Sequence, residues 1–134
     1  MYTHKTKIRV RYSETDQMKY VYYGVYAQYF EVGRVELLRS LGVSYKELEE
    51  EGFALPVVNY NIDYKQPAFY DDELTIETTL KKIPTAKIVF EYKTFNKKKE
   101  IINTATVTLV FINNKTSKPC PCPKRIIDKL TKSI

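Results

Sequence analysis

The spacing of hydrophobic positions changes along the chain, and each spacing predicts an element. Thr6, Ile8, Val10 and Tyr12 interleave with Lys5, Lys7, Arg9 and Arg11, the period-two pattern of a half-buried strand with a charged outer face. A polar turn follows, and the period then lengthens. Tyr26, Tyr29, Phe30, Gly33, Leu37 and Leu41 recur at helical spacing, predicting an amphipathic helix from about Gly24 to Leu41 with Gly42 as its C-terminal cap. Gly33 in mid-helix costs about 1 kcal/mol relative to Ala, and the expected return is close approach of the helix to a sheet. Ser44-Tyr45-Lys46-Glu47 has the capping-box pattern and predicts a short second helix that stops near Gly52.

Alternation then resumes. Val58, Tyr60, Ile62 and Tyr64 alternate with Asn59, Asn61, Asp63 and Lys65, until Pro67 interrupts and Phe69-Tyr70-Asp71-Asp72 turns the chain. Leu74, Ile76, Thr78 and Leu80 predict a third strand. Ile88, Phe90 and Tyr92 predict a fourth, reaching a turn at Asn96-Lys97-Lys98-Lys99, and Ile101 to Ile112 a long fifth. Lys118 to Pro123 is stiff and extended, and a final short helix begins near Pro123 with Ile126, Ile127 and Leu130 on its apolar side. Short connections make the last four strands antiparallel. One sheet of about five strands must cover one long helix, an α+β arrangement in a single domain spanning residues 1–134.

Composition narrows the function classes. A chain of 134 residues buries a real core. Twelve tyrosines without a tryptophan suit half-buried surfaces and interfaces, which favours an oligomer. The net charge of +6 is spread along the chain and reads as a solvated surface; a phosphate-bearing ligand is the sharper reading. No arginine-rich block or nucleic-acid motif accompanies it, so no nucleic-acid partner is expected. No apolar run approaches the roughly 20 residues that span a bilayer, so no membrane partner is expected. Met1 to Lys5 leads directly into a strand rather than a signal peptide, and Cys120 and Cys122 are too close for an easy mutual disulfide; the expected location is the cytoplasm.

Most catalytic chemistries lack their residues. The single histidine, His4, stands at the end of the first strand, which argues against a Ser-His-Asp triad, and there is no G-x-S-x-G turn. No metal-ligand spacing occurs, and four glycines form no phosphate loop. Cys120-x-Cys122, flanked by prolines, reads as part of a loop. Asp16 stands just before the long helix, whose first N–H groups lack partners and favour negative charge. Two roles are open to it on the residues alone: satisfying the turn or capping the helix, and acting in catalysis. Glu14 and the Asp71-Asp72 pair compete with it, the latter reading as a plain turn.

The run Val10-Arg11-Tyr12-Ser13-Glu14-Thr15-Asp16-Gln17-Met18, then Val21-Tyr22, Tyr26, Tyr29-Phe30-Glu31 with Arg34, resembles the hot-dog-fold acyl-CoA thioesterases of the 4-hydroxybenzoyl-CoA thioesterase-like superfamily. Leu38-Arg39-Ser40-Leu41-Gly42, Pro56-Val57, Ile62-Asp63-Tyr64 and Pro67-Ala68-Phe69-Tyr70-Asp71-Asp72 extend the likeness over nearly the whole chain. The resemblance implies a hot-dog fold, the antiparallel sheet wrapped around the long helix, and hydrolysis of an acyl-CoA to a free acid and CoA. It implies that Asp16 is the catalytic aspartate, as general base on water or as nucleophile. It places Tyr23 where a backbone N–H at the helix start polarises the thioester carbonyl. It implies a homodimer or homotetramer with sites between subunits, and no cofactor beyond the CoA of the substrate. Val58, Asn59 and Tyr60 are the expected pocket and pantetheine contacts, and Lys87 the expected partner of a CoA phosphate. Tyr22, Tyr26, Tyr29 and Tyr60 suggest a partly aromatic acyl pocket.

Two positions depart from the family pattern. Many relatives have Gly where Lys19 stands, so the loop is expected to bend differently here. Many have Asn where Val25 removes a polar side chain near the reacting centre. These departures motivate a rival, a non-catalytic acyl-CoA or acyl-carrier-protein binding module on the same fold.

Overall fold

The computed structural model describes residues 1–133. Strand β1 (Tyr2–Arg9) alternates half-buried and exposed residues along its length, as its pattern requires. A 3-10 turn, Tyr23–Val25, runs into helix α1 (Tyr26–Ser40), and α2 (Tyr45–Glu50) follows. Gly42 closes α1 at φ +81°, with its N–H on the Arg39 carbonyl and the Val43 N–H on that of Leu38. Ser44 caps α2 by accepting from the Glu47 N–H at 3.3 Å. Beyond α2 come β2 (Phe53–Ala54), β3 (Val57–Tyr64), β4 (Glu73–Leu80), β5 (Lys87–Phe95), β6 (Ile101–Val110), β7 (Ile112–Asn113), β8 (Lys118–Pro119) and helix α3 (Lys124–Ser133). All pairings of the main sheet are antiparallel, in the order β1-β4-β5-β6-β3.

The sheet's inner face packs on α1. Leu74 and Ile76 of β4, Ile88, Phe90 and Tyr92 of β5, and Val107 and Leu109 of β6 meet Phe30, Leu37 and Leu38 in one core. Gly33 explains the closeness of the contact. A Cβ there would lie 2.6 Å from the Thr78 hydroxyl and 3.0 Å from Ile76 Cγ2, so only glycine lets the helix sit this low on β4. This is the expected α+β hot-dog arrangement, with five strands around one central helix.

Three local expectations are corrected. Tyr12 does not continue β1 inward; it opens a 3-10 turn, is 77% exposed and packs edge-to-face on Tyr70. Glu14 turns the chain there by taking the Arg11 N–H and guanidinium. The long fifth strand is broken at buried Phe111, whose carbonyl accepts from Cys120; beyond it the chain changes partners and builds a second sheet, β2-β7-β8. Finally, β3 is exposed along almost its whole length despite its alternating sequence. It is an edge strand, its backbone paired with β6 alone among the described residues, and Val57, Val58, Tyr60 and Tyr64 keep much of their surface exposed.

Candidate active site

Residues 15–21 form a tight loop. Thr15 bridges Val21, the Asp16 N–H donates to the Tyr20 carbonyl at 2.8 Å, and the Lys19 N–H donates to the Asp16 carbonyl at 2.9 Å. The half-buried Asp16 side chain fixes this loop from within. Its Oδ1 accepts from the N–H groups of Met18 at 2.9 Å and Tyr20 at 3.3 Å. Its Oδ2 accepts no hydrogen bond among the described residues. Lys19 adopts φ +67°, so the left-handed turn that glycine would make cheaply is kept by a lysine, at some conformational cost.

Glu14, the rival carboxylate, is committed to structure. It is 7% exposed and accepts from the Arg11 N–H at 2.8 Å, the Arg11 guanidinium at 3.0 and 3.1 Å, and the Tyr29 hydroxyl at 2.8 Å. Burial alone would raise its pKa, but these donors outweigh it and hold the carboxyl below its ordinary value. Its carbonyl also accepts from the Tyr22 N–H, so Glu14 joins the strand end, the Asp16 loop and the helix start. Asp71-Asp72 is the plain turn expected, with Asp71 at φ +67° and Asp72 accepting from the Phe69 N–H at 2.9 Å.

Asp16 and Tyr23 line one groove of about 320 Å³, with Met18, Tyr20, Tyr26 and Tyr64. The Tyr23–Val25 turn begins α1 without a side-chain cap: the Val25 N–H is taken by the Tyr22 carbonyl at 2.9 Å, and no N-cap side chain takes the N–H groups of Tyr23 and Gly24. Tyr26 is 3% exposed; burial, reinforced by nearby Tyr64, pushes its phenol up to about 12, so it is a neutral wall at physiological pH. The other tyrosines expected in the acyl pocket do not line this groove. Tyr29 serves Glu14, Tyr22 packs on Tyr23, and Tyr60 lies edge-to-face on Phe30.

Within one chain, the remaining expected contacts stand far from Asp16. Strand register shows this: Tyr64 of β3 pairs with Asn103 of β6 at the groove end, whereas Val57 pairs with Leu109 and Lys87 with Val110 at the opposite end. Val58 sits in a bulge between Val57 and Asn59, and Asn59 accepts from the Asn61 amide at 2.6 Å. Lys87 is exposed beside Lys81 and Lys82. Cys120 and Cys122 are free thiols, and burial, then Cys120, pushes the Cys122 thiol up to about 12, which leaves little thiolate. Sequence reading missed Tyr64 as a groove residue; its only signal was the position at the end of a strand.

Comparison with known proteins adds an independent line. A family described as the thioesterase-like superfamily matches residues 10–130. YneP of Bacillus subtilis (strain 168) is 35% identical over 128 residues, covering 96% of this chain and 93% of that protein. The acyl-CoA thioester hydrolase YbgC of Escherichia coli O6:H1 is 32% identical over 120 residues, 90% of each. A solved DHNA-CoA thioesterase from Staphylococcus aureus superposes with a TM-score of 0.93 at 33% identity, covering 99% of this chain and 91% of that one.

Proposed function

The chain belongs to the thioesterase-like superfamily, and on that premise we propose that it hydrolyses acyl-CoA thioesters to the free acid and CoA, with Asp16 and the Tyr23 amide as its reacting groups. The observation that carries this reading is the shared groove, which holds an unpartnered carboxylate oxygen and an uncapped helix start. A thioester needs attack on one side of its carbonyl and a donor for the developing oxyanion on the other. With Asp16 as general base, a water oxygen bonds to the carbonyl carbon and its proton passes to Oδ2. The tetrahedral intermediate, held by the Tyr23 N–H, then collapses. The C–S bond breaks, and the leaving sulfur takes the proton. With Asp16 as nucleophile, Oδ2 itself bonds to the carbon, CoA leaves, and water hydrolyses the resulting anhydride.

The working unit in this reading is a homodimer or homotetramer whose subunits meet along β3. Its free edge and exposed Val57, Val58 and Tyr60 support that reading. Antiparallel pairing of β3 with a second copy would set the Val57 end of one strand against the Tyr64 end of the other. Val58, Asn59 and Tyr60 would then reach the opposite subunit's groove, and Lys87, at the same end of the sheet, would meet a CoA phosphate. The test is thiol release from a panel of acyl-CoAs. Asp16→Asn is expected to lower turnover at least about 100-fold, a loss of over 2.7 kcal/mol in transition-state stabilisation. Turnover left intact by Asp16→Asn refutes the assignment. Acyl-CoA binding without any turnover establishes the binding module instead.

A further inference from the structure

Helix starts commonly fix their first N–H groups with an N-cap side chain. Here neither Tyr22, before the 3-10 turn, nor Val25, before α1, supplies one. A cap would consume the donors that a thioester oxygen needs, but an uncapped turn is held by fewer bonds. Tyr64 holds the turn from its carbonyl side. Its hydroxyl donates to the Tyr23 carbonyl at 3.3 Å, the one side-chain hydrogen bond to the backbone of the Tyr23–Val25 turn among the described residues.

Tyr64 is well anchored for this. It is the last residue of β3, its backbone is in register with Asn103, and the next N–H, of Lys65, donates to the Ile102 carbonyl at 2.9 Å. Its ring lies 5.9 Å from that of buried Tyr26, inclined at 59°. The phenol therefore links the main sheet to the helix start across the groove that contains Asp16.

We propose that the Tyr64 hydroxyl, by holding the Tyr23 carbonyl, fixes the plane of the Tyr23–Gly24 peptide, and with it the Gly24 N–H that lies beside that of Tyr23 at the helix start, and so acts as a positioning residue for thioester hydrolysis. This rests on the assignment of Asp16 and the Tyr23 amide above. The hydroxyl contributes to the transition state, where the carbonyl oxygen gains charge, and little to ground-state binding. The ring, by contrast, is groove wall.

Tyr64→Phe and Tyr64→Leu separate the two. Steady-state thiol release should show Tyr64→Phe lowering kcat about 10-fold with KM within about twofold. Tyr64→Leu, which also removes the wall, should raise KM as well. In an Asp16→Asn background that retains bound acyl-CoA, the infrared stretch of an isotopically labelled thioester carbonyl reports polarisation directly. Tyr64→Phe should return that band toward its position in water. A kcat for Tyr64→Phe within twofold of wild type overturns the proposal, as does a kcat loss that leaves the carbonyl band unmoved. If Asp16→Asn abolishes turnover while Tyr64→Phe preserves it, the Tyr64 inference alone fails. A wild type that turns over no acyl-CoA removes the parent reading and this one together.

Discussion

Tyr29→Phe removes one hydroxyl and keeps the ring, so it isolates a single buried hydrogen bond next to the Asp16 loop. Tyr29 is 3% exposed and donates to Glu14 Oε1 at 2.8 Å. A hydrogen bond to a charged group contributes about 1.5–3 kcal/mol. Glu14 keeps the Arg11 donors, so it is not left bare, and the lower part of that range applies, about 1.5–2 kcal/mol. The Arg11–Glu14 ion pair adds less than about 1 kcal/mol, because the Arg11 side chain is 73% exposed. Urea unfolding should show a lower midpoint for Tyr29→Phe at unchanged slope, and thermal unfolding a drop of about 5–10 °C. The pH dependence has a definite sign. Burial opposes ionisation of Glu14, but its donors lower the folded-state pKa below the unfolded one. The stabilisation is therefore fully present above the unfolded pKa and is lost as pH falls through the folded value. The gap between wild type and Tyr29→Phe should be full at about pH 7 and shrink by about pH 3. A gap under about 0.5 kcal/mol at neutral pH, or one that persists in acid, refutes this account of Glu14.

Two further substitutions probe backbone geometry. Lys19→Gly should stabilise the protein by about 0.5–1 kcal/mol, because Lys19 holds φ +67°, read as a higher unfolding midpoint; destabilisation would show that the lysine side chain contributes more than its backbone costs. Gly33→Ala should destabilise by about 1 kcal/mol or more, despite better helix propensity, because its Cβ would lie 2.6 Å from the Thr78 hydroxyl. A stabilised Gly33→Ala variant in urea unfolding would mean that the helix stands farther from β4 than described.

The elements legible in the sequence were those whose buried face repeats locally. The period of Tyr26 to Leu37 and the alternations of Leu74 to Leu80 and Ile88 to Tyr92 report burial on one side, and the structure buries those sides. What misled was alternation without a covering layer. β3 alternates, yet its burial does not, because nothing among the described residues covers its edge. The break at Phe111 was invisible because a strand that changes partners keeps its alternation. At the site, the Asp16 turn was readable from its polar residues. The fourfold use of Glu14 depends on Tyr29, and the hold on Tyr23 depends on Tyr64, 41 residues away. Such contacts leave no local periodicity to read.

The two edges of the main sheet meet the solvent differently. β1 presents Lys5, Lys7 and Arg9, charges that discourage a stray strand from adding on. β3 offers an open ladder and the run Val57-Val58-Asn59-Tyr60, with no charge until Asp63. A newly made chain thus carries one guarded and one unguarded edge, and the unguarded one is the easier for an extended segment to join. Pro56 and Pro67 bracket the strand like gatekeepers and limit how far such a mispairing can spread. Crowded unfolded chains, as in strong overexpression or refolding from denaturant, are where this edge would first show itself, as aggregates seeded at β3 while β1 stays clean.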